Sequence, residues 1–257
     1  MLHPIAHHPR RRPAVWIATL IATTALAGPA AAQSASIGAD IVNRYVWRGI
    51  DFGESMSVQP ALTFGVGGFE LGAWGSYSIS ASGSDANEND LWASFTHELP
   101  SGASISVGVT DYYFPGPGAT GFQDGEAHTQ EFFASLSGPE SLPVSLLAAM
   151  VQDTEDDEDI YTLYVEAGLS LPTIEGVELG AHAGLVGGKS NFYGTPDASL
   201  VNLGVTASKA LQVSESFALP VTVSYILNTA ASYSEKDDGT FDKDARAYLV
   251  FALSLAP

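Results

Sequence analysis

From residue 36 onwards, the sequence alternates between apolar and polar residues with a period of two. In 69–80, 89–99 and 160–171, one phase is mainly apolar or aromatic and the other is mainly polar or small. Successive side chains of a β-strand point to opposite faces of the sheet, so this alternation is typical of strands with one apolar face. The sequence therefore predicts an all-β protein.

Most of the alternating segments are ~9–12 residues long, which is the length that a tilted strand needs to cross a bilayer. Strands of soluble proteins more often have about five or six residues. One segment, 143–151, is apolar on both faces and fits the pattern least well. The predicted strands, about twelve in number, are 36–47, 57–65, 69–80, 89–99, 103–113, 128–137, 143–151, 160–171, 177–187, 198–210, 217–228 and 245–255.

The connections between these segments are alternately long and short. The long ones are 48–56, 81–88, 114–127, 152–159, 188–197 and 229–244, and the short ones are 66–68, 100–102, 138–142, 172–176 and 211–216. Outer-membrane barrels have short periplasmic turns and long external loops, and an even number of strands. A secreted β-sandwich has no reason to sort its loops in this way. We therefore expect a transmembrane up-and-down antiparallel β-barrel.

The first 32 residues have the three parts of a secretory signal peptide. Three arginines at 10–12 precede an apolar run at 14–27, and Ala30–Ala32 form a small-residue cleavage site. We therefore predict a signal peptide over 1–32 and a barrel over 33–257 in the outer membrane of a Gram-negative bacterium. A membrane-anchoring helix is the alternative, but the apolar run is shorter than the ~20 residues that such a helix needs.

The charge and the cysteine content exclude several functions. The chain has 29 acidic residues against 10 Lys and Arg, a formal net charge of −19, and no Cys. Nucleic-acid binding needs a basic face, so no nucleic-acid partner is expected. Without Cys there can be no thiol nucleophile, iron–sulfur cluster or Cys-ligated zinc site. We expect no cofactor.

The inward phase of the predicted strands is rich in charged residues. Charges that face lipid are costly, so their position supports a water-filled interior. The carboxylates among them outnumber Arg, which favours cations over anions. The predicted pore-lining residues are Asp40, Arg44, Glu70, Glu98, Glu131, Glu166, Glu178 and His182.

Large aromatic residues also fall on the inward phase, where they would narrow the lumen. They are Trp74, Trp92, Tyr112, Phe133 and Tyr164. At most a small channel is expected, and the sequence leaves both an open pore and a plugged barrel possible. The alternative role for Arg44 is an ion pair with a neighbouring carboxylate in a closed structural network.

Aromatic residues on the outward phase are expected to form two girdles at the membrane interfaces. The girdle near the long loops would contain Tyr45, Trp47, Tyr77, Tyr113, Tyr161 and Tyr225, and the other would contain Phe69, Phe95 and Phe217.

An acidic run occupies the predicted loop 152–159. It lacks the glycine and the spacing of an EF-hand, so a specific metal site is not expected. It is either a solvated loop or a loose cation-binding segment that bridges to lipopolysaccharide phosphates or concentrates cations at the pore mouth. Its acidic residues are Asp153, Glu155, Asp156, Asp157, Glu158 and Asp159.

An outer-membrane lipid hydrolase is the alternative interpretation as an enzyme. Such barrels carry a Ser–His pair on the lipid face, and His97 is the one His of 33–257 on the predicted outward phase. No partner Ser is identifiable, and His97 lies near the short-turn end, away from the outer leaflet. We expect no enzymatic activity.

Several segments resemble the TorF-like family of Gram-negative outer-membrane porins. They are Asn43-Arg44-Tyr45-Val46-Trp47-Arg48-Gly49, Val58-Gln59-Pro60, Gly72-Ala73-Trp74-Gly75-Ser76, 107–114 and Asn191-Phe192-Tyr193-Gly194. The first of them is the most specific. The resemblance implies a β-barrel with a channel role and brings no catalytic residues.

The expected function is passive diffusion of small solutes through a narrow, cation-preferring, porin-like channel. A non-conducting structural or surface-binding barrel is the alternative. The expected partners are outer-membrane lipids and lipopolysaccharide, small solutes and, during biogenesis, periplasmic chaperones and the barrel-assembly machinery.

Overall fold

The computed structural model of the protein describes residues 33–52, 55–80, 87–116, 122, 127–155, 158–215, 217–235 and 241–255, with the backbone alone for 154–155, 158–159, 231–235 and 241–244. The predicted signal peptide, 1–32, lies outside the described residues, as do Asp156 and Asp157. In the part of the chain that is described, no helix is long and apolar enough to cross a membrane.

The described residues form fourteen β-strands. Their bounds are β1 Gln33–Val42, β2 Tyr45–Trp47, β3 Ile50–Phe52, β4 Ser57–Val66, β5 Phe69–Ser78, β6 Glu88–Glu98, β7 Ser104–Tyr113, β8 His128–Ser137, β9 Val144–Glu155, β10 Glu158–Ile174, β11 Val177–Val186, β12 Ser199–Ser214, β13 Phe217–Glu235 and β14 Phe241–Leu255.

Twelve of these strands close into one antiparallel barrel. β4 to β14 pair in chain order, and β1 pairs with β4 on one side and with β14 on the other. Closure gives every wall strand two hydrogen-bonded neighbours, so the sheet has no free edge strand. The prediction of an all-β, twelve-stranded, up-and-down barrel is confirmed.

The outer surface of the barrel is apolar because one phase of every wall strand faces outwards. Val205 keeps 55% of its surface exposed and Leu62 54%, while the inward neighbours Asn202 and Gln59 are buried. A soluble protein rarely exposes such a continuous apolar surface. Tyr77, Tyr161 and Tyr225 lie on this surface, as do Phe69, Phe95 and Phe217, in agreement with the predicted girdles.

Long and short connections lie at opposite ends of the barrel, as expected. Two of the predicted long loops are nevertheless much shorter, because the flanking strands continue beyond the barrel wall. β9 and β10 approach to a gap of 156–157 in place of the loop 152–159, and β13 and β14 leave only 236–240. Polar residues are compatible with a two-stranded ribbon outside the lipid, so their composition does not mark the end of a strand.

The first predicted strand, 36–47, is broken in the structure. β1 ends at Val42, and Asn43 continues the pairing with β14 through its side chain: its Nδ2 donates to Leu249 O (3.2 Å) and its Oδ1 accepts from Phe251 N (2.7 Å). The chain then leaves the wall, and β2 and β3 form a separate two-stranded sheet.

The strand that fitted the pattern least, β9, has two apolar faces for a physical reason. Leu146 and Met150 are exposed on the outer surface, while Ala149 and Val151 are buried inside the barrel. The inner face of β9 therefore packs against a filled part of the lumen, and its outer face belongs to the apolar surface.

A matched pair of substitutions in the middle of β12 tests the orientation of the wall. Val205→Arg places a charge on the outer surface and should lower the free energy of unfolding in lipid vesicles by about 2–4 kcal/mol. Thr206→Arg faces the lumen and should cost less than about 1 kcal/mol by the same denaturant titration. Equal costs for the two variants would contradict the inside–outside assignment.

Candidate functional site

The luminal hairpin, residues 45–52, lies across the inside of the barrel. Tyr45 contacts Trp74 on β5, with ring centroids 5.4 Å apart, and Trp47 contacts Tyr112 on β7 at 5.6 Å. Contacts with β8, β10 and β13 follow on other sides of the hairpin. A segment that touches strands all around the wall blocks the lumen at that level.

Arg48, at the tip of the luminal hairpin, is clamped to Glu131 on β8. Its Nη1 donates to Oε2 (2.5 Å) and its Nη2 donates to Oε1 (3.0 Å), so the pair is bidentate. The two side chains are 11% and 3% exposed. The guanidinium carbon also lies 4.4 Å from the ring centroids of Trp47 and Tyr164, which are cation–π distances.

The surroundings keep Arg48 charged and its second partner, Tyr193, neutral. Burial alone would lower the pKa of Arg48, but Tyr193 and Glu131 outweigh it and raise the pKa above its ordinary value. Burial raises the pKa of Tyr193 well above its ordinary value. Its phenol oxygen accepts a hydrogen bond from Arg48 Nη1 at 2.9 Å. The clamp is therefore ionic on one side and neutral on the other.

The tip of the hairpin has a tight turn in which both central residues have positive φ, 47° at Arg48 and 79° at Gly49. Turns of this kind match the twist of a two-stranded hairpin. A Cβ on Gly49 would lie 1.8 Å from Val201 O, so only glycine fits there. Asn228 on β13 donates from Nδ2 to Gly49 O at 3.0 Å. The strained φ of Arg48 is offset by its bonds to Glu131.

The connection between β11 and β12 completes the closure. Tyr193 stacks on Trp47 with centroids 5.9 Å apart and on Tyr164 with centroids 5.6 Å apart. Ala149, Val151, Val186 and Val201 are buried with these rings, and Trp47 packs against the cluster.

Asp153 was predicted to lie in an external cation-binding loop. In the structure it instead anchors the connection between β11 and β12. Its carboxylate accepts hydrogen bonds from Ser190 Oγ (2.6 Å), Phe192 N (3.0 Å) and Thr162 Oγ1 (2.9 Å), and the residue is buried. The prediction was wrong because β9 continues through Asp153 and turns its side chain inwards. Glu155, Glu158 and Asp159 lie in strands whose backbone alone is described.

Below the luminal hairpin, a polar chain crosses β10, β11 and β12. Asn202 Nδ2 donates to Glu166 Oε2 at 2.8 Å, and Asn202 Oδ1 accepts from His182 Nε2 at 3.1 Å. Tyr164 Oη donates to the same Glu166 oxygen. The predicted inward position of Glu166 and His182 agrees with this geometry. Both side chains are hydrogen-bonded within this network, so they help to position the wall below the luminal hairpin, which is the plug of the barrel.

The other predicted pore-lining residues fall into two groups. Glu70, Glu98 and Glu178 are exposed towards the short-turn end; Glu70 accepts a hydrogen bond from Trp92 Nε1 at 2.9 Å. Asp40 and Glu131 lie nearer the long-connection end, half-buried and buried respectively. The short-turn half of the lumen is therefore an acidic vestibule, and the other half is filled.

Arg44 is not a residue of the barrel wall. It lies in the bend between β1 and β2, and its Nε is 3.3 Å from Asp51 Oδ1 within the hairpin segment. Tyr45 and Trp47, predicted on the outer surface, are inside the lumen. All three predictions assumed that the first strand runs to residue 47, and the bend at Asn43 reverses the direction of the side chains after it.

His97 is exposed on the outer surface as predicted, but His128 also lies on the outward phase. His128 Nδ1 is 2.9 Å from Asp111 Oδ2 and its Nε2 is 2.8 Å from Phe122 O. Both ring nitrogens are engaged, so the ring has no position for a serine hydroxyl. Among the described residues, no group of three or more His, Asp or Glu side chains could hold a metal ion.

Sequence reasoning missed Arg48, which was placed in an external loop, and the inward pair Glu88 and Asp90. Tyr45 Oη donates to Glu88 Oε2 at 2.8 Å inside the barrel. The available signal was the shared phase of Glu88, Asp90 and Trp92 on one strand. No local pattern marks the chain after Asn43 as a hairpin that turns inwards.

The barrel and its luminal hairpin define a class of protein: a closed twelve-stranded antiparallel barrel that is filled on one side by a segment of its own chain. The chain belongs to a family of bacterial proteins of unknown function (Gcw_chp), whose family model matches residues 26–246 and so includes the hairpin. No curated protein matches the chain.

Two arginines of the hairpin segment provide a matched test of the clamp. Arg48→Ala leaves Glu131 buried without its cation and should lower the free energy of unfolding in detergent micelles by about 3–5 kcal/mol. Arg44→Ala removes a single contact of 3.3 Å from an arginine that is one-third exposed, and should cost only about 1 kcal/mol. The double variant Arg48→Met/Glu131→Leu should recover most of the loss. A similar cost for both single variants would rule out the clamp.

Proposed function

We propose that the protein is a porin-like channel of the outer membrane whose luminal hairpin closes it at rest and opens it to small cations by moving. The observation that carries this proposal is the clamp between Arg48 and Glu131, which holds a separate piece of chain across an otherwise acidic lumen. The resemblance to TorF-like porins agrees with it.

The outer-membrane location is supported by the surface and by the order of the chain. A closed barrel satisfies its backbone hydrogen bonds internally, which is what a spanning structure needs in lipid. Its outer face is apolar, and its long and short connections are sorted to opposite ends. Export through the predicted signal peptide, 1–32, is part of the proposal.

The hairpin is suited to move because it is not part of the barrel sheet. β2 and β3 pair with each other, whereas the wall closes through β1 and β4 on either side of them. Withdrawing the hairpin would break side-chain bonds and the bond from Asn228 to Gly49 O, but no wall pairing. The wall would remain a closed barrel after the hairpin had left the lumen.

The cation preference rests on the vestibule. Glu70, Glu98 and Glu178 are exposed there, and Arg48, the basic residue at the tip of the hairpin, is neutralised by Glu131. A carboxylate-lined passage with low-dielectric walls concentrates cations and repels anions.

A non-conducting structural or surface-binding barrel is the second candidate, and the same plug favours it if the hairpin never leaves the lumen. The two candidates differ in one measurable quantity, which is the conductance of the protein in a planar bilayer with and without the hairpin.

Replacing residues 45–52 by a Gly/Ser linker of equal length should change the single-channel current. The wild-type channel should open briefly and rarely, and the variant should stay at a steady open level. The expected cause is removal of the rings and the clamp that fill the lumen. The same replacement at 139–142, at the other end of the barrel, should leave the wild-type trace unchanged. Both proteins must fractionate with the outer membrane. A silent hairpin variant would favour the non-conducting barrel.

Selectivity of the open variant should come from the vestibule. Replacing Glu70, Glu98 and Glu178 together by Gln should shift the reversal potential under a salt gradient towards zero at every ionic strength. Neutralising Glu155, Glu158 and Asp159 should act only in dilute salt, because charges that act through water are screened within ~8 Å at physiological ionic strength. An unchanged potential in the vestibule variant would show that ions take another path.

A further inference from the structure

Two acidic side chains of β6 lie buried beside the luminal hairpin. Glu88 is 2% exposed and Asp90 is 8% exposed, and both are on the inward phase near the long-connection end. The hairpin reaches them through Tyr45, whose Oη donates to Glu88 Oε2 at 2.8 Å. They are the second place, after Glu131, where an acidic side chain of the wall holds the hairpin.

Glu88 and Asp90 lie two residues apart on the inward face of one strand, so their carboxyl groups can come within hydrogen-bonding distance of each other. An ionised carboxylate has acceptors only, so a bond between two carboxyl groups requires a proton on one of them. Asp90 Oδ1 is buried and has no hydrogen-bond partner among the described residues. Tyr45 Oη is a donor to Glu88 alone, so a bond between the two carboxyl groups needs a proton that the pair itself carries.

The groups that face this pair from the packed elements are neutral. Opposite Asp90 they are the phenol of Tyr112 on β7 and the indole of Trp74 on β5, and on the hairpin the facing group is the phenol of Tyr45. The other charged groups that act on Asp90 from β7 and β8, Asp111 and Glu131, are acidic.

Arg48, the basic residue at the tip of the hairpin, is bonded to Glu131 and Tyr193. Removing the shared proton would place two like charges together in a site that excludes water. A buried charge of this kind is costly unless it is paired or hydrated.

We propose that Glu88 and Asp90 share a single proton and that its loss releases the luminal hairpin and opens the channel. The inference rests on the proposed function and adds its regulation. At low pH one proton joins the two carboxyl groups. As the pH rises, the proton passes to water, both groups become carboxylates, and they need water around them. The space that water needs is filled by Tyr45 and its contact with Trp74, so the hairpin must move.

The test is the pH dependence of conductance of the full-length protein in a planar bilayer. Wild type should open at least about tenfold more often at about pH 9 than at about pH 5, because the shared proton is held in acid and lost in base, and two buried carboxylates without a cation are unfavourable. Asp90→Asn supplies a permanent amide donor to Glu88 and should stay closed at both values. Glu140→Gln, exposed in a short turn at the other end of the barrel, should keep the wild-type response.

Hairpin position can be followed independently of conductance, since the chain contains no Cys. The thiol of an Ile50→Cys variant should react with a thiol reagent faster at high pH than the same thiol in the Asp90→Asn background at the same pH. The ratio of the two rates removes the intrinsic pH dependence of the thiol. A ratio of one at all pH values would overturn the proposal.

The outcomes separate this proposal from the channel function. If the Gly/Ser hairpin variant conducts but wild type is insensitive to pH, the proton switch is wrong and the channel function stands. If that variant is silent, the channel function is wrong, and the labelling rates of the Ile50→Cys variant alone decide the switch. If the pH dependence of opening survives in Asp90→Asn, another group is the sensor, which overturns the assignment to this pair.

If added Ca²⁺ at fixed pH closes wild type but not Asp90→Asn, the pair holds a metal cation, which also overturns the shared proton.

Discussion

The closure of the barrel through β1 is the constraint on which the rest of the structure depends. β1 pairs with β4 over its full length but with β14 only from Ala39 to Val42, and the side chain of Asn43 extends this seam by bonding to β14. Because the wall closes without residues 45–52, that segment is free to serve inside the lumen. The same bend that completes the seam therefore sends the hairpin inwards, so the wall and the plug have a common origin at Asn43.

The wall could be predicted from sequence because its physics is local. Each wall strand has lipid on one side and a lumen on the other, which imposes a period of two, and the turns fall where the period breaks. The plug could not be predicted, because it depends on contacts between distant residues. Arg48 and Glu131 are far apart in sequence, and neither carries a local sign of its partner. Glu131 and Glu166 lie on the inward phase as predicted, yet their roles follow from distant partners, which are Arg48 of the hairpin for Glu131 and Asn202 of β12 for Glu166.

The segments that depart from the apolar–polar alternation indicate the plug, whereas the alternation itself indicates only the wall. β9 is apolar on both faces, and it is the strand that packs against the plug, through Ala149 and Val151. The segment that most strongly suggested a family resemblance, 43–49, leaves the wall and enters the lumen. A wall strand needs only the right alternation, whereas a positive φ at Arg48 and a close approach at Gly49 demand particular residues. Sequence specificity therefore concentrates in the plug.

The chemistry of the plug determines what it can do. A plug made only of apolar contacts would be stabilised by burial, and changes in charge would have little effect on it. The luminal hairpin is instead held by charged and polar bonds, at Arg48–Glu131 and at Tyr45–Glu88, inside a site that excludes water. Such bonds are strong while complete and unfavourable once a partner changes charge, because the remaining group is left buried and uncompensated. A closure of this kind is stable in one protonation state and destabilised in the other, which is the physical requirement for a plug that opens without unfolding the barrel around it.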